Sequence, residues 1–176
     1  MSPRNSLEPL ISAEKIEVRV AELAHRLEHD HPGGDLVVVS VLSGSVIFLA
    51  DLVRKMNLPM RIDTVSVSSY AGRAVAPGEL KVLKTFSEDV HGKHVLLIDD
   101  ILDTGGTLSA VIGEIQAMEP ASLKTCVLLR KKKERNIDVK PDYVGFEIED
   151  LFVVGYGLDC DGMYRNLPYI AVFNLT

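Results

Sequence analysis

The chain has 176 residues, of which 47% are hydrophobic and 25% charged, and its formal net charge is −6. These values fit one globular domain over residues 1–176 and exclude collagen-like and disordered classes. The acidic balance argues against a nucleic-acid partner held by bulk charge. The first residues lack the order of a signal peptide and no apolar run is long enough to cross a bilayer, so we expect a cytoplasmic protein without a membrane partner.

The first half of the chain predicts helices that alternate with strands. Apolar residues recur at helical spacing over residues 12–29, which indicates an amphipathic helix. The unbroken apolar run at 36–42 predicts a strand covered on both faces, followed by a small-residue turn at 43–45 and a helix that ends near Met56. Residues 61–70 alternate like a strand, and the Gly- and Pro-containing segment after them predicts a mobile loop.

The second half is richer in strands. Apolar patterns predict one more helix, over residues 107–118, and strands at 81–86, 95–101, 123–129, 143–148 and 152–158. The alternation favours an α/β fold, a doubly wound and mainly parallel sheet flanked by helices, and the strand-rich tail predicts a small appendage on it. Ligands of such sheets bind at the carboxyl ends of strands, where the turns at 43–45 and 103–107 are expected to lie.

The sequence IDDILDTGGT, residues 98–107, joins three carboxylates to a pair of glycines at a predicted helix start. Glycines allow a ligand to approach the backbone, and a helix N-terminus directs N–H groups outward, so the loop suits a phosphate. Asp99 and Asp100 would repel a bare polyphosphate, but carboxylates accept hydrogen bonds from ribose hydroxyls and bind Mg²⁺. The pattern therefore predicts a ribose phosphate accompanied by a metal ion. Strand alternation leaves open whether both carboxylates reach the ligand.

A simpler interpretation explains the same residues without a ligand. Asp103 or Thr104 would be the N-cap of the helix, and the two preceding acids would be solvated residues at the end of a strand. N-caps are common, but a cap does not require two acids before it. We therefore favour the ligand site.

The stretch LLIDDILDTGGTL resembles the phosphoribosyl-pyrophosphate signature of the type I phosphoribosyltransferases. The tail, from KPDYVGFEIEDLF to DGMYRNLPYI, is similar to the purine-recognition region of the hypoxanthine phosphoribosyltransferases, in which the appendage is a hood over the base. The resemblance implies transfer of 5-phosphoribose from phosphoribosyl pyrophosphate to a 6-oxopurine, hypoxanthine or guanine, giving IMP or GMP and pyrophosphate with Mg²⁺ required.

The resemblance also implies roles for residues of the acidic strand and its loop. Asp99 and Asp100 would hold the ribose hydroxyls and the metal ion, and Asp103 would be the general base that removes the purine N7 proton. The 5′-phosphate would be held by the loop, which comprises Asp103, Thr104, Gly105, Gly106 and Thr107.

Further roles carried by the resemblance lie elsewhere in the chain. Lys131 would donate to the 6-oxo group, Phe152 would stack on the purine and the backbone of Val153 would contact the purine edge. Asp159 would lie near the exocyclic position or a second Mg²⁺, and Arg165 would contact pyrophosphate. The other members of the basic run RKKKER, residues 130–135, are interpreted as a solvated loop.

Two more segments match the family. Ser69 and Tyr70 match a pair on a mobile loop that closes over the reacting centre and excludes water. The turn LSGS matches the pyrophosphate loop, where the resemblance implies a non-proline cis peptide at Ser43–Gly44. Some relatives carry Lys or Arg at the position of Ser43, so pyrophosphate contacts here are expected to come from the Ser43 hydroxyl and backbone N–H groups.

Two alternative functions stay open at this point. One is a regulator with this fold that senses nucleotides and binds RNA or DNA through the basic run. The other is an enzyme that prefers xanthine or a pyrimidine. Relatives form dimers or tetramers, so a homodimer or homotetramer is expected.

Overall fold

The computed structural model describes residues 7–69, 80–82, 87–134, 137 and 139–174. Its helices are α1 (Ala13–Asp30), α2 (Val46–Arg54) and α3 (Gly106–Ala117). Its strands are β1 (Glu8–Ile11), β2 (Leu36–Leu42), β3 (Arg61–Ser69), β4 (Leu80–Val82), β5 (His94–Leu102), β6 (Ser122–Lys131), β7 (Tyr143–Ile148), β8 (Val153–Val154) and β9 (Ile170–Val172).

A six-stranded sheet in the order β4-β3-β2-β5-β6-β7 forms the centre of the fold. Its five strands from β3 to β7 in that order are parallel, and β4 pairs with β3 in the antiparallel direction. Successive strand residues alternate between two cores: Val38 packs with α1 and α2, and Val37 packs with α3. The doubly wound, mainly parallel sheet predicted from the sequence is confirmed.

The appendage is a second, three-stranded sheet in the order β1-β9-β8. The sequence predicted a strand-rich tail but missed β1 and β9, because a strand of three or four residues has too few alternating positions to be recognised. The strand predicted over 152–158 is wrong beyond Val154. Gly155, Tyr156 and Gly157 have φ values of 98°, 50° and 101°, so the chain turns there.

The boundaries of the main elements agree with the apolar patterns to within a few residues. In the strand predicted at 81–86, only residues 81–82 are described, and they belong to β4. The predicted mobile loop after residue 70 lies outside the described residues. In the part of the chain that is described, no helix is long and apolar enough to span a membrane.

Two loops meet where the parallel strands β2 and β5 lie side by side. After β2 the chain enters α2 and continues to β3, whereas after β5 it enters α3 and continues to β6 on the other side. The chain thus leaves these two strands in opposite directions, which opens a crevice at their carboxyl ends.

Candidate active site

A cavity of about 290 Å³ occupies this crevice, near the lower end of the size range of small-molecule sites. It lies at the ends of β2 and β5, where the sequence predicted the ligand. The predicted site residues that line it are Gly44, Asp99, Asp100, Asp103, Thr104, Gly105, Thr107, Asp159 and Arg165.

The floor of the cavity is the start of α3. Gly105 is its N-cap with φ of 89°, a conformation that favours glycine, and it has no side chain with which to cap the helix. Gly105, Thr107 and Leu108 line the cavity and the first turn contains no acidic residue, so the partial positive charge of the helix start lies at the cavity wall; the Gly106 N–H donates to Oγ1 of Thr104 at 3.5 Å. The interpretation of Asp103 or Thr104 as the N-cap is therefore wrong, since the helix begins after both. An anion is well suited to this position.

Asp99 and Asp100 both line the cavity although they are neighbours on β5, because the cavity surrounds the strand end. Oδ1 of Asp99 accepts a hydrogen bond from the Asp100 N–H at 3.0 Å, and Oδ1 of Asp100 accepts one from the Ile101 N–H at 2.8 Å. Burial, and then the charge of Asp100, raise the pKa of Asp99 well above its ordinary value. Burial also raises the pKa of Asp100, and the nearby Arg165 charge opposes that increase. The pair would be stabilised by a cation.

The turn after β2 fits tightly against Asp100. A Cβ added to Gly44 would lie 1.6 Å from Oδ2 of Asp100, so a side chain at this position would require the Asp100 carboxylate to move. Ser43 is exposed and is absent from the cavity lining. The cis peptide is Leu42–Ser43, so the prediction of Ser43–Gly44 is wrong by one residue. The short turn motif indicates this segment but does not determine which of its peptide bonds is cis.

The hood contacts the same turn through Gly157. A Cβ added there would lie 2.0 Å from the carbonyl oxygen of Gly44. Gly157 is fixed in turn by Arg165, whose carbonyl oxygen accepts its N–H at 2.9 Å and whose Nη1 donates to its carbonyl oxygen at 2.5 Å. Nη2 of Arg165 also lies 2.8 Å from Oδ1 of Asp159. Gly157 thus joins the hood to the β2 turn, and Arg165 holds Gly157 and Asp159 together within the hood.

Asp103 lies between two lysine side chains. Nζ of Lys131 is 3.1 Å from Oδ2 of Asp103, and the Lys133 ammonium contacts Oδ1. Partial burial alone would raise the pKa of Asp103, but the hydrogen bonds and charges of Lys133 and Lys131 outweigh it and hold the pKa below its usual range. Asp103 is therefore an anion at neutral pH, in contact with the residue expected to bind the purine oxygen.

Of the residues expected near the purine, Asp159 lines the cavity, whereas Lys131, Phe152 and Val153 lie outside its lining. Lys131 is 8% exposed at the end of β6, and Val153 is buried in β8. Phe152 is 45% exposed, and its ring meets the Phe173 ring edge-on at 6.0 Å between centroids. The exposed part of the Phe152 ring can accept a stacked base. Gly106 and Ser43 also lie outside the lining, and the side chains of Ser69 and Tyr70 are not among the described ones.

Sequence reasoning missed three residues that bear on the site. Lys133 was interpreted as solvated, but it contacts Asp103, and Asp150 and Gly157 were not singled out. The parallel register of β6 and β7 pairs Lys131 with Ile148, which aligns Lys132 with Glu149 and Lys133 with Asp150, and these ion pairs form. Opposite charges 17 residues apart were a usable signal once the two strands were known to be neighbours. Gly157 gave no such signal.

Comparison with known proteins identifies the family of this chain. Residues 8–161 match the phosphoribosyl transferase domain family. The chain is 40% identical to a hypoxanthine phosphoribosyltransferase of Salmonella typhimurium over 170 residues, 96% of each chain. A hypoxanthine-guanine phosphoribosyltransferase structure from Bacillus anthracis, with HEPES in its active site, is 42% identical with a TM-score of 0.89 and covers 95% of this chain and 98% of its own.

A hypoxanthine phosphoribosyltransferase structure from Staphylococcus aureus is 40% identical with a TM-score of 0.90 and covers 97% of this chain and 93% of its own. Identity at this level extends over nearly the whole chain, so the sheet, the crevice and the hood are all included in the match. This chain therefore belongs to the phosphoribosyltransferase family, among the hypoxanthine phosphoribosyltransferases.

Proposed function

We propose that this enzyme transfers the 5-phosphoribosyl group of phosphoribosyl pyrophosphate to a ring nitrogen of hypoxanthine or guanine. The products are IMP or GMP and pyrophosphate. The observation that carries the proposal is the arrangement around one cavity of an N-terminal helix turn, two largely buried carboxylates and Asp103. The helix turn suits the 5′-phosphate, and the two carboxylates suit the ribose with its metal ion. Asp103 is suited to accept an acidic proton of the base.

The phosphate would be held by the loop residues at the start of α3. Backbone N–H groups near Gly105 and Gly106 and the hydroxyls of Thr104 and Thr107 supply donors for its oxygens. Asp99 and Asp100 would accept hydrogen bonds from the ribose hydroxyls. As pyrophosphate departs, positive charge develops on the ribose ring, and these carboxylates can stabilise it.

The residues present fit Mg²⁺, which the family resemblance implies. Burial raises the pKa of both Asp99 and Asp100, which identifies two carboxylates whose charge a divalent cation would stabilise, and Mg²⁺ commonly takes one or two protein carboxylates with water and substrate oxygens as its other ligands. The ion, when bound, would neutralise charge on the leaving pyrophosphate. Asp159 is a weaker candidate, because its oxygens contact Arg165 and the Gly162 N–H. No group of three or more metal-ligating side chains occurs among the described residues.

The base would be recognised by Lys131, Phe152 and Val153. The Lys131 ammonium would donate to the 6-oxo group, which favours hypoxanthine or guanine over adenine, and the Phe152 ring would stack on the purine. Binding of the oxygen would draw Lys131 from Asp103, which strengthens Asp103 as a base when the N7 proton must be removed. Arg165 and the Ser43–Gly44 turn would contact pyrophosphate.

The nucleic-acid-binding alternative is less well supported. Lys131, Lys132 and Lys133 of the basic run each contact carboxylates of the same chain, so their charges are compensated within the fold. A homodimer or homotetramer and a cytoplasmic location are part of the proposal, and light scattering and cell fractionation would test them.

The function is tested by pyrophosphate release from phosphoribosyl pyrophosphate and Mg²⁺ in the presence of hypoxanthine, guanine, xanthine, adenine or a pyrimidine. We expect turnover with hypoxanthine or guanine and a preference of at least about 100-fold over adenine. Turnover with xanthine or a pyrimidine alone would refute the assignment of substrate, and the absence of turnover with every base would refute the reaction.

The role of Asp103 is tested in the same assay. Asp103→Asn should lower kcat by about 10² to 10⁴-fold, the usual contribution of a positioned general base, while phosphoribosyl pyrophosphate still binds. Near-normal turnover of this variant would exclude Asp103 as the base.

A further inference from the structure

Four charged side chains form a closed ring at the purine side of the site. Nζ of Lys131 lies 3.1 Å from Oδ2 of Asp103 and 3.0 Å from Oδ1 of Asp150. The Lys133 ammonium contacts Oδ1 of Asp103 and lies 3.5 Å from Oδ1 of Asp150. Each carboxylate thus contacts two ammonium groups, and positive and negative charges alternate around the ring. The proposed reaction gives direct roles to Asp103 and Lys131 and none to Asp150.

Asp150 connects two parts of the proposed purine site. It lies between β7 and β8, two positions before Phe152, in a turn closed by a hydrogen bond from the Leu151 N–H to the Glu149 carbonyl oxygen at 2.8 Å. The side chain of Lys131 is 10% exposed and that of Asp150 is 51% exposed. A half-exposed carboxylate thus reaches a buried ammonium from the loop that carries the stacking ring.

The two carboxylates on Lys131 differ in what the reaction requires of them. An ammonium has three N–H donors, and binding of the 6-oxo group requires that one of them point at the purine. The contact with Asp103 competes with catalysis, since Asp103 must accept a proton. The contact with Asp150 does not compete, and it offsets part of the cost of keeping a charge buried.

We propose that Asp150 is a positioning residue that holds the Lys131 ammonium in place for the 6-oxo group of the purine. The inference rests on the proposed function, because it assumes that Lys131 binds this oxygen. Asp150 then contributes to the choice of base without touching the base. Its contribution is confined to purines that carry the 6-oxo group.

Two mononucleotides isolate this contribution. IMP carries the 6-oxo group, whereas purine ribonucleoside 5′-monophosphate lacks that group and the accompanying N1 proton. Dissociation constants of both are measured by calorimetry for the full-length wild type, Asp150→Asn, Asp150→Glu and Glu149→Gln. Glu149 is a matched control, because it is the adjacent carboxylate and pairs with Lys132 at 3.0 Å.

The wild type should bind IMP more tightly than the nucleotide without the oxygen. Asp150→Asn should weaken IMP binding by about fivefold, the upper range for a partly exposed ion pair, and should leave binding of the other nucleotide unchanged. Asp150→Glu should recover part of the loss, and Glu149→Gln should behave as the wild type. In kinetics, the KM for hypoxanthine should rise while the KM for phosphoribosyl pyrophosphate stays constant.

Three results would overturn the proposal. Asp150→Asn with wild-type affinity for IMP shows that Lys131 needs no such support. Equal weakening of both nucleotides shows a general structural role for Asp150. If the wild type binds both nucleotides equally, Lys131 does not contact the 6-oxo group. That result differs from failure of the enzyme to turn over any base, which would refute the proposed function.

Discussion

Replacement of Gly157 by alanine should damage both stability and use of phosphoribosyl pyrophosphate, because the added methyl has no room. Its Cβ would lie 2.0 Å from the carbonyl oxygen of Gly44, whereas real contacts of this kind are 3.0 Å or longer. Both groups belong to backbone, so the hood or the β2 turn must move by about 1 Å. The second penalty is the φ of 101°, which disfavours a residue with a side chain.

The magnitude follows from these two effects. The left-handed conformation costs about 1–2 kcal/mol and overpacking about 1–3 kcal/mol, so the free energy of unfolding should fall by about 2–5 kcal/mol. For a chain of this length the melting temperature should drop by about 10 °C, as measured by calorimetry. Because a shift of 1 Å can misplace the β2 turn, which we propose contacts pyrophosphate, kcat/KM for phosphoribosyl pyrophosphate should fall by up to about 100-fold.

Gly33→Ala is the matched control. Gly33 has φ of 88°, but a Cβ there meets no atom within 4 Å, so it carries the conformational penalty alone. It should lose about 1–2 kcal/mol of stability and keep wild-type kinetics. If Gly157→Ala were no less stable than Gly33→Ala and equally active, the contact between hood and turn would be compliant, and the reasoning would be refuted.

Three further changes test the electrostatics and the packing. Burial raises the pKa of Asp99, so the folded state loses stability as the pH rises from the ordinary aspartate range through that raised pKa. Asp99→Asn removes this loss and should raise the melting temperature at pH 7. The gain in melting temperature should shrink as the pH falls. Lys133→Met should raise the pKa of Asp103 and move the acid limb of kcat/KM for hypoxanthine to higher pH, and Lys133→Arg should not. Gly113→Ala adds a methyl group that meets no atom within 4 Å, so within α3 it should add about 1 kcal/mol to the free energy of unfolding and leave activity unchanged.

Each of these outcomes has a clear opposite. A lower melting temperature for Asp99→Asn at pH 7 would mean that its charge is already well compensated. If the acid limb of the pH profile did not move in Lys133→Met, Lys133 would have no effect on the pKa of Asp103 in solution. A loss of stability in Gly113→Ala would contradict the open space described beside it.

The sequence by itself determined the layered fold and the position of the crevice. Unbroken β-branched runs such as residues 36–42 have no polar side to expose, so they predict strands buried on both faces, and the helices that cover them follow from 3.6-residue periodicity. The glycine pair at 105–106 predicted a helix start with exposed N–H groups, and the three carboxylates beside it predicted the kind of ligand. These features depend on residues close together in the chain.

Only the tertiary structure decided which residues act on one another. The contacts of Asp103 with Lys131 and Lys133, and of Lys131 with Asp150, join side chains that lie 19 or more positions apart in the chain. They depend on the registers of β6 against β5 and against β7, which side-chain periodicity does not determine. The contact between Gly157 and Gly44 is of the same kind, because a glycine that is required for lack of space looks in sequence like one that is required for its φ.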